Sequence, residues 1–157
     1  MNHIEHATGM VNKLAAALGQ AKPDWRNGAC ALRIEGRAFS FFYGEKQAAL
    51  FLQADLGELA ALPDPEAALT VLLRANHLWT GTVGGAFGLA EGRLLYVFRL
   101  DFPLPKGWEE HDEDLWPDLL PHILGALEAA EDRLRRPAGE GGPPASRAAG
   151  ETGLLRV

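Results

Sequence analysis

The densest group of side chains able to perform chemistry is the acidic run at residues 109–114, Glu-Glu-His-Asp-Glu-Asp. Its carboxylates and imidazole are groups that bind metal ions or transfer protons. Neighbouring residues point in different directions, however, and acidic side chains just before a helix complement its positive end, by about 0.3–1 kcal/mol each. We therefore interpret the run as the approach to a helix and predict no metal site there.

The histidines do not supply a second candidate site. His3 and His6 form the one pair at helical spacing, and a hydrolytic zinc site needs a third protein ligand within an ordered shell. Nothing in the sequence nominates that ligand. The sequence accordingly predicts no metal and no cofactor.

Cys30 is the single cysteine of the chain. It alternates with Leu32 and Ile34, as residues on one face of a strand do, and no basic neighbour is evident that would lower the pKa of its thiol. The same count excludes an internal disulfide and fits a reducing compartment. We predict that Cys30 fills the core.

The glycine-rich segment at residues 81–88, GTVGGAFG, superficially resembles a phosphate-binding loop. It lacks the G-x-G-x-x-G spacing and a following Lys-Ser/Thr, and it follows a helix and precedes a strand, which is the reverse order. Its glycines instead suit a tight turn and a close backbone approach. No serine or threonine lies in a nucleophile-elbow pattern either, so we predict that the protein is not an enzyme.

In the first part of the chain, apolar residues recur first at the spacing of a helix and then at the spacing of strands. Apolar residues at steps of three and four predict a helix over residues 3–20, ending near Gly19. Three runs of period two then predict an antiparallel meander, with turns at Glu35-Gly36 and at residues 44–46. The alternating positions are Cys30, Leu32, Ile34, Phe39, Phe41, Tyr43, Leu50, Leu52, Ala54 and Leu56.

A second helix is predicted from Asp64, a capping residue followed by proline, to about Trp79. Its polar positions Thr70, Arg74 and His77 fill a narrow wedge, so its apolar arc is much wider than the ~100° stripe of a surface helix. One sheet face cannot cover that arc. The helix is either packed between sheet and loops or shared across a dimer interface, and we favour the dimer because isologous contacts bury such second faces.

The remaining pattern predicts a hairpin and a third helix. Alternation over residues 94–100 follows a turn at Glu91-Gly92, and leucines recur at helical spacing from Asp112 onward. Two prolines leave two alternatives for this helix: it begins at Pro117 and bends near Pro121, or it begins at Pro121.

These elements predict one α+β domain over residues 1–136, of order α-β-β-β-α-β-β-α, with an antiparallel twisted sheet flanked by helices. Residues 137–157 are rich in Gly, Pro, Ala and charge, which predicts a flexible tail.

Composition excludes several classes of partner. The net charge of −6 repels nucleic acid and anionic membranes. No run approaches the ~20 apolar residues of a membrane helix, and the N-terminal residues lack the pattern of a signal peptide. We therefore predict a cytoplasmic protein that binds neither nucleic acid nor membrane.

Residues 72–105, LLRANHLWTGTVGGAFGLAEGRLLYVFRLDFPLP, carry a resemblance to a known family. A leucine-rich helix ends near an asparagine, a glycine-containing strand follows, and an alternating strand closes in Leu-Pro. Over about residues 3–136 the chain resembles the class I type III secretion chaperones, also called the Tir chaperone family. The positions on the family pattern are Asn76, Gly85, Leu89, Leu94, Leu100 and Leu104.

The resemblance implies a homodimeric cytoplasmic chaperone in virulence, which binds the N-terminal segment of one secreted effector in extended form and keeps it competent for secretion. It implies a dimer interface at Leu72, Asn76, Trp79, Phe87 and Leu89. It places the effector on the first helix and first sheet, where the segment can add a strand to an exposed edge; the positions nominated for it are Leu14, Leu18, Leu32, Ile34, Phe39 and Phe41. The alternative is a regulatory module of similar fold that sequesters a folded partner outside secretion.

Overall fold

Three helices and five strands follow one another in the predicted order in the computed structural model, which describes residues 2–77, 81–108 and 112–136. The helices are α1 (His3–Ala17), α2 (Pro65–Asn76) and α3 (Asp112–Arg135). The strands are β1 (Ala29–Ile34), β2 (Arg37–Gly44), β3 (Ala49–Glu58), β4 (Ala86–Ala90) and β5 (Arg93–Asp101), and one 3-10 turn (Leu59–Ala61) follows β3. The α+β fold class is confirmed.

Helix α1 begins and ends with capping signals of its own sequence. The side chain of Asn2 accepts a hydrogen bond at the N terminus of the helix. At the other end Gly19 adopts a φ of +67°, and the backbone N–H of Gln20 donates to the carbonyl of Ala15 at 2.8 Å. This 6→1 bond around a left-handed glycine is a Schellman motif, and it fixes the backbone of Gln20 beside the helix end.

Helix α2 begins where the sequence predicts and ends earlier. The carboxylate of Asp64 accepts from the N–H of Ala67 at 2.9 Å, which confirms the cap. The helix ends at Asn76 because the next residue, His77, has an extended backbone with a ψ of 117°. The predicted end near Trp79 was therefore wrong by about one turn.

The five strands form one antiparallel sheet of order β1-β2-β3-β5-β4, so β1 and β4 are its edges. The β1–β2 and β4–β5 turns both contain a Glu-Gly pair with positive φ at each residue: 48° and 79° at Glu35 and Gly36, 50° and 76° at Glu91 and Gly92. Two central residues with positive φ define the type I′ turn, whose twist suits an antiparallel hairpin. Glycine accepts this conformation without strain, which confirms the predicted turns.

Alternate residues of every strand point into a core on one face of the sheet. Phe39, Phe41, Leu52 and Tyr96 are fully buried there. All three helices contribute side chains to the same cluster, from Val11 of α1 to Ile123 of α3, in the set that includes Ala7, Met10, Val11, Leu14, Ala68, Leu72, Trp116, Leu120, Ile123 and Leu127. The helices thus cover one face and leave the other open.

Helix α3 contradicts both sequence-based alternatives, because it begins at Asp112 and contains Pro117 and Pro121 within it. Each proline removes one backbone donor from the helix. The packing of the first turns offsets that loss: Trp116 is 2% exposed and meets the ring of Phe41 edge-on, with 5.7 Å between centroids. The predicted tail at residues 137–157 lies outside the described residues.

One ion pair joins the first hairpin to α3. Arg37 donates to the carboxylate of Glu131 at 2.6 Å, and both side chains are about one-fifth exposed. The hydrogen bond to Glu131 raises the pKa of Arg37. Residues 94 positions apart in sequence are therefore held together at the rim of the core.

The approach to β4 leaves no room for a side chain at Gly85. A Cβ there would lie 2.5 Å from the Tyr96 ring, whereas a Cβ at Gly88 meets nothing within 4 Å. We predict that Gly85→Ala lowers the free energy of unfolding by about 1–3 kcal/mol, as overpacking does. The matched Gly88→Ala change should alter it by less than about 0.5 kcal/mol. Urea denaturation of both variants checks this, and equal stabilities would contradict the close approach at Gly85.

Candidate functional site

The one cysteine of the chain lies among the described residues and is not placed as a nucleophile. Cys30 is 8% exposed on β1 within the core cluster, and burial raises the pKa of its thiol to about 11. Such a thiol remains protonated near neutral pH and is a poor nucleophile. The structure therefore places Cys30 in the packing role predicted for it.

Only part of the acidic run at residues 109–114 lies among the described residues. Glu109, Glu110 and His111 lie outside the described residues, and Asp114 is exposed on α3. Within residues 2–77, 81–108 and 112–136, no group of three or more His, Cys, Asp or Glu side chains is placed to hold a metal ion. In the same ranges no helix has both the length and the hydropathy needed to span a bilayer.

A side-chain amide joins α2 to the edge strand β4. The Nδ2 of Asn76 donates to the carbonyl of Phe87 at 2.8 Å, and its Oδ1 accepts from the N–H of Phe87 at 2.7 Å. The Phe87 ring in turn packs edge-on against Tyr96, with 5.4 Å between centroids, and the hydroxyl of Tyr96 donates to the carbonyl of Thr82 at 2.7 Å. Burial raises the pKa of Tyr96 to about 12, so the hydroxyl stays a donor. Asn76 thereby fixes the angle between α2 and the sheet.

Beside this amide lies an apolar surface that one chain leaves uncovered. Leu73, one turn before Asn76, is 69% exposed, and Leu89, two residues beyond Phe87 on the same strand face, is 50% exposed. Leu69 is half-buried between them and the core. We call Leu69, Leu73 and Leu89 the α2–β4 surface. Leu73 and Leu89 are two of the five large apolar side chains that are exposed among the described residues, and exposed apolar patches are common binding sites for other polypeptides.

The five positions nominated for the dimer interface thus have different environments. Leu72 and Phe87 are 4% and 6% exposed and belong to the core of the single chain. The side-chain amide of Asn76 is hydrogen-bonded to the backbone of Phe87 on β4, and Trp79 lies outside the described residues. Leu89 alone among the described members is strongly exposed. The sequence pattern included Leu73 in the apolar arc but did not single it out, because periodicity does not show which side of a wide arc faces outward.

The six positions nominated for effector binding are mostly core positions. Leu14, Leu32 and Ile34 are at most 5% exposed, and Phe39 and Phe41 are fully buried. In the single chain the helices cover the strand face that carries them, so their contact with an effector stays a prediction. Leu18 differs, because it follows the last turn of α1 and is 39% exposed.

The open face of the sheet carries an apolar strip that the sequence reasoning missed. Phe42 and Phe51 are paired across β2 and β3 and stack with 4.8 Å between centroids and 10° between planes. The guanidinium of Arg99 lies 5.9 Å from the Phe51 centroid, and Val97 and Leu95 follow on the same face of β5, both half-buried and paired with Gln53 and Asp55. We call Phe42, Phe51, Leu95 and Val97 the open-face strip. The sequence shows that apolar residues alternate along the strands, but it does not show which face of the sheet the helices cover.

Ion pairs border the strip. Arg93 contacts Asp55 at 2.7 Å and Glu58 at 3.3 Å, and Arg99 contacts Asp101 at 2.6 Å. The hydrogen bond from Arg93 lowers the pKa of Asp55. An apolar centre with a charged rim is the general composition of a protein-binding patch, and such exposed pairs contribute little to stability themselves.

Comparison with known families identifies the family to which this fold belongs. The family model of the Tir chaperone protein (CesT) family matches residues 9–106, from the middle of α1 through β5. The chain belongs to the Tir chaperone family. Among curated protein sequences none matches significantly.

Solved structures show the same fold as this Tir chaperone family member. A chain of the ExsC–ExsE complex is 15% identical at a TM-score of 0.68, with 86% of this chain and 98% of that one covered. The Yersinia pestis type III secretion chaperone SycH, in complex with a stable fragment of YscM2, gives 16% identity and a TM-score of 0.56, covering 82% and 98%. The heterodimeric ExoU–SpcU complex from the type III secretion system of Pseudomonas aeruginosa gives 16% and 0.55, covering 79% and 93%.

In this family member the Asn76 amide can be tested as the link between α2 and β4. We predict that Asn76→Ala lowers the free energy of unfolding by about 1–3 kcal/mol, because it leaves a backbone donor and acceptor of Phe87 unpaired. The amide hydrogen of Phe87 should also exchange faster with solvent. Asn76→Asp retains the acceptor and loses the donor, so it should fall between wild type and Asn76→Ala. Unchanged exchange at Phe87 in Asn76→Ala would show that the amide does not hold the strand.

Proposed function

We propose that the chain is a cytoplasmic, homodimeric chaperone of type III secretion, which holds the N-terminal segment of one secreted effector in extended form. The observation that carries this proposal is the family match over residues 9–106, which spans both α2 and β4. Structures of the same fold include the HopA1–SchA chaperone–effector complex, at a TM-score of 0.58 and 15% identity. Holding a segment in extended form requires apolar contacts and backbone hydrogen bonds, and no covalent chemistry. The protonated thiol of Cys30 is in keeping with this role.

The α2–β4 surface is the part we assign to the homodimer. Leu73 and Leu89 are too exposed to stabilise one chain, and a twofold axis would place each surface against its copy. Leu72, Asn76 and Phe87 lie directly beneath or beside them and set the shape of the surface. Trp79, three residues beyond Asn76, belongs to the same proposal from its place in sequence.

The effector segment is assigned to Leu18 and the open-face strip. Leu18 is 39% exposed after the last turn of α1, and the members of the strip are half-buried on the sheet face that no described helix covers. Leu14, Leu32, Ile34, Phe39 and Phe41 contribute as the packed layer that holds α1 against the sheet. An extended segment suits such a surface because its side chains alternate between two directions while its backbone stays free to pair.

Replacing Leu73 with a charged residue tests the dimer. Wild-type protein should have twice the 17.0 kDa chain mass by light scattering at micromolar concentration. Leu73→Glu should be monomeric, because two buried carboxylates would face each other across the twofold axis. Leu18→Glu introduces the same charge at another exposed apolar side chain, outside the α2–β4 surface, and should remain dimeric. A monomeric wild type would exclude the dimer altogether.

Co-expression with the secreted protein encoded by a neighbouring gene tests the chaperone function. The chain should copurify with that protein through an N-terminal segment that proteases cut readily when it is free and that stays extended in the complex. Leu18→Glu should weaken this complex by about tenfold or more, since it places a charge in an apolar contact. Recovery of a folded, protease-resistant partner alone would instead support the regulatory alternative.

A further inference from the structure

A groove lies between α3 and the residues that follow β5. Its apolar lining consists of Trp108, which is 48% exposed, and of Leu115 and Leu119, which are half-buried and lie one helical turn apart. The N–H of Trp108 donates to the carbonyl of Pro105 at 3.0 Å, which fixes the backbone of Trp108 beside the groove. The volume is about 680 Å³, which leaves room for several side chains. We call this feature the α3 groove.

Polar side chains form one rim of the α3 groove. Asp114, Asp118 and His122 line it at intervals of four residues, so they form a row along the helix. All three side chains are exposed, and no ion pair between described residues involves either carboxylate. Apolar side chains beside unpaired carboxylates complement an occupant that carries both apolar groups and a positive charge.

The predicted tail carries a segment of this chemistry. Residues 137–153, PAGEGGPPASRAAGETG, contain no leucine, isoleucine, valine, methionine or aromatic residue. Three of the next four residues, Leu-Leu-Arg-Val at positions 154–157, are leucine or valine, and the fourth is the cation Arg156. Both ranges lie outside the described residues. Composition thus divides the tail into a linker and a short segment that is apolar and cationic.

The linker has the length that a contact with the α3 groove requires. Asp118 lies 17 residues before Arg135, where α3 ends, so about 26 Å separate them at a rise of 1.5 Å per residue. A flexible chain of the 18 residues 136–153 has a root-mean-square span of about 21–25 Å. Because the two lengths agree, the effective concentration of residues 154–157 at the groove is close to its maximum, in the millimolar range. A contact of low intrinsic affinity is then populated.

We propose that residues 154–157 dock into the α3 groove of their own chain, with the two leucines on its apolar side chains and Arg156 beside its carboxylates. The inference goes beyond the chaperone function and does not depend on it. Tethering favours this occupant, because a separate polypeptide at micromolar concentration is about a thousandfold more dilute than the tethered segment. Residues 137–153 keep the flexibility predicted for the tail, and the docked segment covers the indole of Trp108.

A spin label beside the segment measures docking in the whole chain of 157 residues. Gly153→Cys provides the attachment site, and Cys30 does not compete for the label because its thiol is buried and has a pKa raised to about 11. The label should broaden the NMR signals of the Trp108 indole and of the methyl groups of Leu115 and Leu119. Chemical reduction of the label removes the broadening and supplies the reference spectrum.

Substitutions in the groove and in the segment test the apolar and the charged contact separately. Leu155→Ser should weaken docking about tenfold or more, because a leucine leaves the apolar lining. Asp118→Lys and Arg156→Glu should each weaken docking about fivefold, and the two combined should restore it to within about twofold of wild type. Asp132→Lys makes the same change elsewhere on α3, and Ala149→Ser alters the linker, so both variants should dock as wild type does.

A mixture of spin-labelled chain with isotope-enriched chain that lacks the label distinguishes the occupants. Broadening within one labelled chain and none in the mixture supports docking in the same chain. Equal broadening in the mixture identifies the tail of a second copy, which overturns the proposal. Docking is also refuted if wild type shows no broadening, or if Leu155→Ser and Arg156→Glu leave it unchanged while thermal unfolding shows both variants folded. Copurification with the secreted protein is a separate measurement, so none of these outcomes decides the chaperone function.

Discussion

The whole structure depends on one constraint: among the described residues, helices cover one face of the five-stranded antiparallel sheet and not the other. Alternation along each strand sends every second side chain to that face, where α1, α2 and α3 meet the same core. Stability and binding are thereby separated in space. The covered face holds the molecule together, and the surfaces available to partners are the other face, the two edges and the outer side of α2.

This separation explains which sequence predictions succeeded. The element order follows from local signals that tertiary structure did not override: the Asp64 cap, the two Glu-Gly turns, and the glycine after α1. The family assignment succeeded because the pattern in residues 72–105 reflects contacts that the structure contains. The amide of Asn76 in α2 is bonded to β4, and Gly85 lies against the ring of Tyr96. Packing signatures of this kind are readable from one chain because they constrain residue size at fixed spacing.

The candidate sites were less predictable, for a definite physical reason. A period of two shows that residues alternate between the two faces of a strand, but not which face the helices cover. Phe39 and Phe41 were therefore nominated for contact although they are buried, whereas Phe42 and Phe51 lie half-buried on the open face. Long-range contacts such as Arg37 with Glu131 leave no local trace in the sequence. The start of α3 was predicted wrongly because the sequence shows the hydrogen bonds that Pro117 and Pro121 remove from a helix. It does not show the contact of Trp116 with Phe41 that offsets their loss.

The contact between Trp116 and Phe41 also bears on how the chain is made. The strands that carry the apolar face leave the ribosome well before α3, since synthesis proceeds from the N terminus. Until α3 has emerged, the side chains that Trp116 and Ile123 cover are accessible to water and to other nascent chains. Pairings across such long sequence separations slow folding, because loop closure precedes the gain from contact. A chain that shields unfolded segments of others therefore passes, during its own synthesis, through a stage in which its apolar sheet needs the same protection.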